Sequence, residues 1–496
     1  MHLQQSRFTK IFPPLHFTSA HPRLVSSLAA SFPYGMPEEQ TIIAVQEKLW
    51  GHLNMDSLNR QYAFRLLGGV EQSPFAFSYN YGGHQFGHWA GQLGDGRAIV
   101  LGDVLDQEGC FQELQIKGAG LTPFSRQGDG YAVMRSSVRE FLASEAMAVL
   151  GVPTTRALTL IQTGVDVFRD RFYDGRGQFE PGAIVCRVAP TFLRFGHFEW
   201  LAATQNQSLF LPLVRFLLQN FYEVSDLGEN NDSVRLLKSV AERTGLMVAN
   251  WQVIGFVHGV LNTDNMSMLG LTLDYGPFAF LDEYQLDFTS NTSDLPGRRY
   301  AFGQQPSIVG WNLQQLARAF MALGAPGDDL ADQVLDWYRL ALSEGLYTLS
   351  LARLGFADPL VTVNVSIPDV ANIAKNFWDV LYRYPINHNS FLRAIGECWR
   401  GGQDLEAEHV FPPLRAVPGA LTPWSEWLKT FRAVVTQTLG LSLMTFGDGL
   451  CRRNPKFLPR NYVLQQAIDG LAEGDARILH TLLRMSLDPY ADWKEQ

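Results

Sequence analysis

Cysteine is scarce. Cys110, Cys186, Cys398 and Cys451 are the four in 496 residues, and none forms a CxxC pair. That spacing argues against a disulfide scaffold and against a thiolate zinc site, and it fits a reducing compartment. Positive charge is not in excess: 40 Lys+Arg against 49 Asp+Glu leave a net charge of −9. A general polyanion binder is therefore not expected and no nucleic-acid partner is predicted, although a local basic cleft could still hold a nucleotide. No run approaches the roughly 18 apolar residues of a membrane span, so no membrane partner is expected. Residues 1–36 mix Pro, His, Ser and Phe without the apolar core of a secretory signal. The expectation is a soluble, cytoplasmic protein. Internal repeats and low-complexity tracts are also missing, which excludes a solenoid.

What the chain does have is an ordinary apolar fraction, 46%, and enough length to bury a large core. Its glycines are uneven. Gly82, Gly83, Gly87, Gly91, Gly94 and Gly96 are followed by Gly118, Gly120, Gly128 and Gly130. Backbone this permissive marks tight turns or close approach to a ligand. The run Gly91–Arg97 precedes a strand, so a Rossmann or Walker loop is a poor reading of it.

Residues 97–101 and 111–117 read as two strands around the turn Asp106–Gly109. The second alternates, with Leu114 and Ile116 on one face and Glu113, Gln115 and Lys117 on the other. A helix is predicted over 138–150, with Ser137 as N-cap, Glu140 at N3 of a capping box, and Gly151 and Pro153 as its stop. Helices are further expected at 208–223 and 233–257, with short extended segments at 266–269 and 271–273. From 311 onward the pattern is mostly helical: 312–323, 329–346, 369–382, 423–439, 461–471 and 476–486. The turn-rich stretch 284–310 separates the two halves.

Several residues could carry chemistry. Lys117 ends a strand, and Glu140 follows 23 residues later on the next helix. A strand lysine paired to a helix glutamate is how protein kinases orient phosphates, although a solvated strand end and a capping residue account for each alone. The segment 258–265 (His-Gly-Val-Leu-Asn-Thr-Asp-Asn) is followed by Asp274-Tyr275-Gly276. His258 and Asn265 have the spacing of the kinase catalytic loop, and 274–276 matches D-x-G. The position of the catalytic aspartate holds Val260, which can neither accept a proton nor bind metal. Asp264 is the only nearby carboxylate for the base role. Asn265 and Asp274 offer hard oxygen ligands for Mg²⁺. Arg187 and Arg194 are natural bidentate phosphate ligands, with surface ion pairing as their plainer role. His84 and His88 lack the helix and the glutamate of a zinc hydrolase. No G-x-S-x-G supports a serine hydrolase.

The stretches 81–97, 115–120, 122–130, 136–142, 194–199, 258–267, 273–278 and 454–462 together resemble the selenoprotein O family, the bacterial YdiU-like proteins. The resemblance implies an α+β, protein-kinase-like bilobal fold with helical extensions. Within a single catalytic unit over 1–496, it implies an N-lobe at about 70–185 and a helical C-lobe at about 186–496. It implies a pseudokinase that transfers AMP from ATP to Ser, Thr or Tyr hydroxyls of proteins, with the nucleotide flipped relative to kinases. By resemblance Lys117, held by Glu140, binds the phosphates with Arg187 and Arg194. Gly94, Gly96, Arg97, Asp129 and Gly130 join the nucleotide pocket. Asp264 accepts the proton, and Asn265 and Asp274 hold Mg²⁺ or Mn²⁺. The family points to redox-related protein substrates. Many members carry a cysteine or selenocysteine at the extreme C-terminus. This chain ends in 491–496 without one, so that redox switch is expected to be absent. The competing functions are a kinase transferring the γ-phosphoryl group, which Val260 argues against, and a non-catalytic ATP-binding scaffold.

Overall fold

Residues 97–117 form a hairpin inside a six-stranded antiparallel sheet. The computed structural model describes residues 3–16, 27–170, 175–222, 232–356 and 368–493. We number the strands that shape the sheet and its neighbourhood as β1 (Thr41–Val45), β2 (Gly82–Gln85), β3 (His88–Gln92), β4 (Ala98–Leu105), β5 (Phe111–Lys117), β6 (Ala132–Val133), β7 (Arg156–Arg169) and β8 (Gln178–Ala189). The sheet order is β1-β7-β8-β5-β4, with β6 also pairing β8, while β2 and β3 form a separate two-stranded hairpin. In register, Lys117 stands between Ala98 and Val185, and Gln115 lies opposite Arg187.

The long β7–β8 hairpin is absent from the sequence expectation. Much of it is buried on both faces, so it reads as continuous apolar stretches instead of an alternation. Strand β8 runs to Ala189, past the approximate lobe boundary at 185.

The helices are α1 (Met134–Val149), α2 (Phe195–Ala203), α3 (Phe210–Phe221), α4 (Asp232–Ile254), α5 (Gln305–Ala322) and α6 (Leu330–Arg353). Helix α1 begins four residues before the expected start. Its N-cap is Val133, which makes no side-chain cap bond. Ser137 and Glu140 therefore do not form a capping box: both are buried inside the helix, and Glu140 points at the sheet's polar row. Helix α4 stops at Ile254 instead of 257. Phe256 and Val257 pair with Phe280 and Ala279, and that short ladder closes the loop that carries 258–278. Residues 266–269 and 271–273 do not make strands. Single bridges tie Ser267 to Arg194 and Thr272 to Thr154.

Beyond 311, helices at Pro368–Arg383, Leu421–Ala433, Asn461–Ala472 and Arg477–Leu487 lie within a few residues of expectation, except that residues 434–438 form a π turn. Helices at His388–Arg400 and Leu443–Arg453 are additional. In the 284–310 stretch, Asp294 accepts hydrogen bonds from the backbone N–H of Arg299 and Tyr300 at 3.0 and 2.7 Å.

One face of the sheet packs Leu114, Ile116, Ile99 and Ile184 with Trp50 and Leu66. The other side joins Val138, Phe141, Leu193, Phe198 and Val248 in the largest core. The C-terminal helices enclose their own core around Trp399, Trp424 and Phe431. The four cysteines are free. Among the described residues, no helix is long and apolar enough to cross a membrane.

Candidate functional site

The alternation in β5 puts Glu113, Gln115 and Lys117 on one face, and all three are buried. A polar strand face in a folded chain is normally solvated, because an unpaired buried charge costs several kcal/mol. This one is covered and satisfied by partners from distant parts of the chain. Lys117 Nζ donates to Glu140 Oε2 at 2.7 Å and to Asp274 Oδ1 at 3.3 Å. Arg187, brought alongside by β8, donates through Nη1 to Glu140 Oε1 at 3.2 Å and to Asp274 Oδ1 at 2.6 Å. Arg194, at the start of α2, donates to Asp274 Oδ2 and, at 2.8 Å, to the carbonyl of Asp264. Its backbone N–H is accepted by His197 Nδ1 at 3.0 Å. Burial holds His197 neutral, with a pKa lowered to about 3, so the ring nitrogen is free to accept.

Three cations thus converge on one carboxylate. Burial alone would raise the pKa of Asp274, but Arg194, Lys117 and Arg187 outweigh it and hold the carboxyl well below its usual range. Asp274 sits at φ +58°, a left-handed conformation that costs a non-glycine residue energy. The ion pairs offset that strain. Burial likewise pulls Lys117 down, and the charges of Glu140 and Asp274 oppose it.

Above this floor lies a cavity of about 670 Å³. Gly94, Gly96, Arg97, Lys117, Asp129, Gly130, Arg187, Arg194, Asp264, Asn265 and Asp274 all line it, as does Val260. Glu140 does not. It stands behind Lys117 and Arg187 and holds both. Arg97 is exposed at the rim. Asp129 is gripped by the two terminal guanidinium nitrogens of Arg169, Nη1 and Nη2, at 2.6 and 2.8 Å, which lowers its pKa. The glycines here answer to packing. A Cβ on Gly94 would fall 2.5 Å from the ring of Phe124, and one on Gly96 would fall 2.9 Å from the Phe124 carbonyl.

Asp264 lies in a single 3₁₀ turn, Thr263–Asn265. Gln85 Nε2 donates to its Oδ2 at 3.1 Å. Burial raises its pKa to about 6, against lowering contributions from Gln85 and Arg194. The β2–β3 hairpin covers this turn. His84 N donates to Thr263 Oγ1 at 2.7 Å, and Phe86 N to Asn262 Oδ1 at 3.2 Å. His84 and His88 therefore stand on the two strands of a hairpin, and His84 pairs with Glu199 at 2.6 Å.

Asn265 Nδ2 donates to the carbonyl of Val260 at 3.0 Å, which turns its Oδ1 away from that bond. The side-chain oxygens of Asn265 and Asp274 at one cavity are of the hard type a divalent cation takes. Another grouping, His52, Asp106 and Glu108, brings ligand atoms within 4.8 Å of one another, and none of these residues lines the cavity.

The sequence reading assigns no role to Asp95, Gln115, Gln85 or Arg169. For Gln115 a signal existed, since it occupies the same strand face as Lys117. For Asp95 the only hint is its place between Gly94 and Gly96.

A family model described as "Protein adenylyltransferase SelO" matches residues 12–487. Among curated relatives, a "Protein nucleotidyltransferase YdiU" from Azoarcus sp. (strain BH72) is 41% identical over 99% of this chain and 94% of its own length. Proteins of the same name are 42% identical in Methylobacillus flagellatus (86% of this chain, 80% of the relative) and 45% identical in Xanthomonas campestris pv. campestris (84% and 79%).

Proposed function

The chain belongs to the SelO protein adenylyltransferase family and is an enzyme of the nucleotidyltransferase class, and on that premise we propose that it transfers AMP from ATP to Ser, Thr or Tyr hydroxyls of target proteins, assisted by Mg²⁺ or Mn²⁺. We read the sheet with α1 as the N-lobe of a kinase-like pair, at about 70–185, and the helical remainder as the C-lobe.

The observation that carries the proposal is the convergence of Lys117, Arg187 and Arg194 at the floor of a cavity that Asp264 also lines. Phosphoryl-centre chemistry needs charge neutralisation, in-line positioning and a base. Here the three cations bind and neutralise the phosphates, with Glu140 fixing two of them. Asp264 takes the proton of the acceptor hydroxyl as its oxygen bonds to the α-phosphorus. The bond from the α-phosphorus to the bridging oxygen breaks, and pyrophosphate leaves with that electron pair. Asn265 and Asp274 would hold the metal, which supplies Lewis-acid neutralisation of phosphate oxygens when bound. Val260 leaves the usual kinase base position without a proton acceptor, which favours this reading over γ-phosphoryl transfer.

The test is a paired labelling assay with ATP labelled at the α or the γ phosphate, a protein acceptor, and Mg²⁺ or Mn²⁺. Label retained on protein from the α position alone supports the proposal. Retention from γ alone makes the protein a kinase. Retention from neither, with ATP binding intact, favours a scaffold.

A further inference from the structure

Beside the phosphate-facing cations, in the wall of the same cavity, stands a buried carboxylate that the mechanism above does not use. Asp95 is 3% exposed. Its Oδ2 accepts from Gln115 Nε2 at 2.9 Å, and the Oε1 of the same glutamine accepts from Arg187 Nη2. Its Oδ1 accepts from Tyr81 OH at 3.0 Å and lies 3.7 Å from Arg194 Nη2. The Arg194 guanidinium stacks over the Tyr81 ring, 5.0 Å from its centroid. The backbone of Asp95 is fixed as well: its N–H donates to Tyr79 O at 2.9 Å, and its carbonyl accepts from Thr122 Oγ1 at 2.7 Å. One carboxylate therefore reaches both arginines, Arg194 directly and through Tyr81, and Arg187 through Gln115.

We infer that Asp95 is a positioning residue that orients Arg187 and Arg194 together for the phosphates of the bound nucleotide. The inference rests on the reading of this cavity as a nucleotide site. Arg187 and Arg194 also share Asp274 as a partner. A phosphate and a metal ion entering the cavity compete for those bonds, so the arginines need a second anchor besides Asp274. Asp95 is that anchor, set on a rigid turn between Gly94 and β4. A guanidinium held on one edge keeps its remaining donors aimed in a fixed plane, which preserves bidentate phosphate geometry.

The test measures ATP and adenosine affinity by calorimetry with Mg²⁺ for the parent, Asp95→Asn and Arg194→Ala. Asp95→Asn keeps the volume and removes the charge. Loss of a charge-assisted contact predicts about a tenfold to hundredfold weaker ATP affinity, with adenosine affinity unchanged. An equal loss for both ligands would make Asp95 a merely structural residue and overturn the inference. Unchanged ATP affinity in Asp95→Asn, alongside a loss in Arg194→Ala, overturns the inference and leaves the nucleotide site standing. Unchanged ATP affinity in Arg194→Ala removes the site reading and the inference together. Should Asp95→Asn fail to fold, Gln115→Met severs the Arg187 arm alone. A selective several-fold loss for ATP is then expected, and an equal loss for both ligands, or none, overturns the inference.

Discussion

The ammonium of Lys117 lies 3.3 Å from the carboxylate of Asp274, although 157 residues separate them in the chain. Glu140, 2.7 Å away on helix α1, holds the same ammonium. The three form one electrostatic unit, so removing any member leaves a buried charge short of a partner. Lys117→Met is expected to lower the unfolding temperature and to reduce nucleotidyl transfer by at least about a hundredfold, since breaking a buried pair costs about 3–5 kcal/mol. Parallel thermal melts and transfer assays check this. A variant with parental activity would dissolve the unit.

Arg194 spans three anionic or carbonyl partners with one planar group: it donates to Asp274 and to the Asp264 carbonyl and lies 3.7 Å from the Asp95 carboxylate. A lysine presents a point charge and cannot span them. Arg194→Lys should therefore lose transfer activity by about tenfold or more, close to the loss in Arg194→Ala. Steady-state rates of the two variants decide. Near-complete rescue by lysine would mean that charge alone matters there.

Burial raises the pKa of Asp264 to about 6. In the proposed role of proton acceptor it works only when ionised, so the rate should climb as pH rises through about 6 and then level off. Asp264→Asn should reduce transfer by about 10²–10⁴-fold while leaving ATP affinity near the parental value. The pH profile of kcat/KM and a binding titration measure these separately. An unchanged rate in Asp264→Asn would assign the base elsewhere.

Gly83 packs directly on that turn. A Cβ there would meet the Asp264 Cβ at 3.0 Å and its backbone N at 3.2 Å. The backbone of Gly83 is not left-handed, so alanine is tolerated locally and its effect falls on Asp264. Gly83→Ala is expected to slow transfer by about tenfold, because a small misplacement of a catalytic group is costly, with the unfolding temperature little changed. A full rate in Gly83→Ala would show that the turn yields freely.

Glu113, at the outer end of the same polar row, makes a statement about stability. Burial, and then the charge of Asp103, push its pKa up to about 8. Its folded-state pKa thus exceeds the ordinary glutamate value, and the folded protein holds the proton more tightly than the unfolded chain. The associated stability is full below the unfolded pKa and is lost as pH rises through about 8. Glu113→Gln remains neutral but weakens one contact, with either Tyr79 OH at 2.7 Å or Phe192 N at 3.1 Å. Its stability deficit should therefore be larger at pH 6 than at pH 9. Unfolding midpoints at the two values test this, and a constant deficit would contradict it.

Much of the helical half was legible in the sequence. The segments around 312–323, 369–382 and 476–486 carry clear apolar faces, and their helices appear within a few residues of expectation, apart from the earlier start of α5 at Gln305. Helix α1 starts ahead of its Ser-x-x-Glu signal because that spacing occurs equally well inside a helix. There Glu140 serves Lys117 and Arg187 instead of a backbone N–H. The β7–β8 hairpin leaves no strand signal in the sequence because burial on both faces erases the two-residue period.

The residue types at and directly behind the cavity were also legible: a lysine closing a strand, a glutamate on the next helix, and an Asp-Asn pair followed by Asp-Tyr-Gly. Local sequence determines such things, because periodicity and spacing decide which side chains share a face. It does not determine whether that face meets water or another part of the chain. The alternation of β5 places Glu113, Gln115 and Lys117 together, yet only the packing of β8, α1 and the 258–278 loop against it makes their face an interior. Only there, where burial weakens the screening of charge by water, do Lys117, Arg187 and Arg194 act together on Asp274, with Asp95 fixing the two arginines.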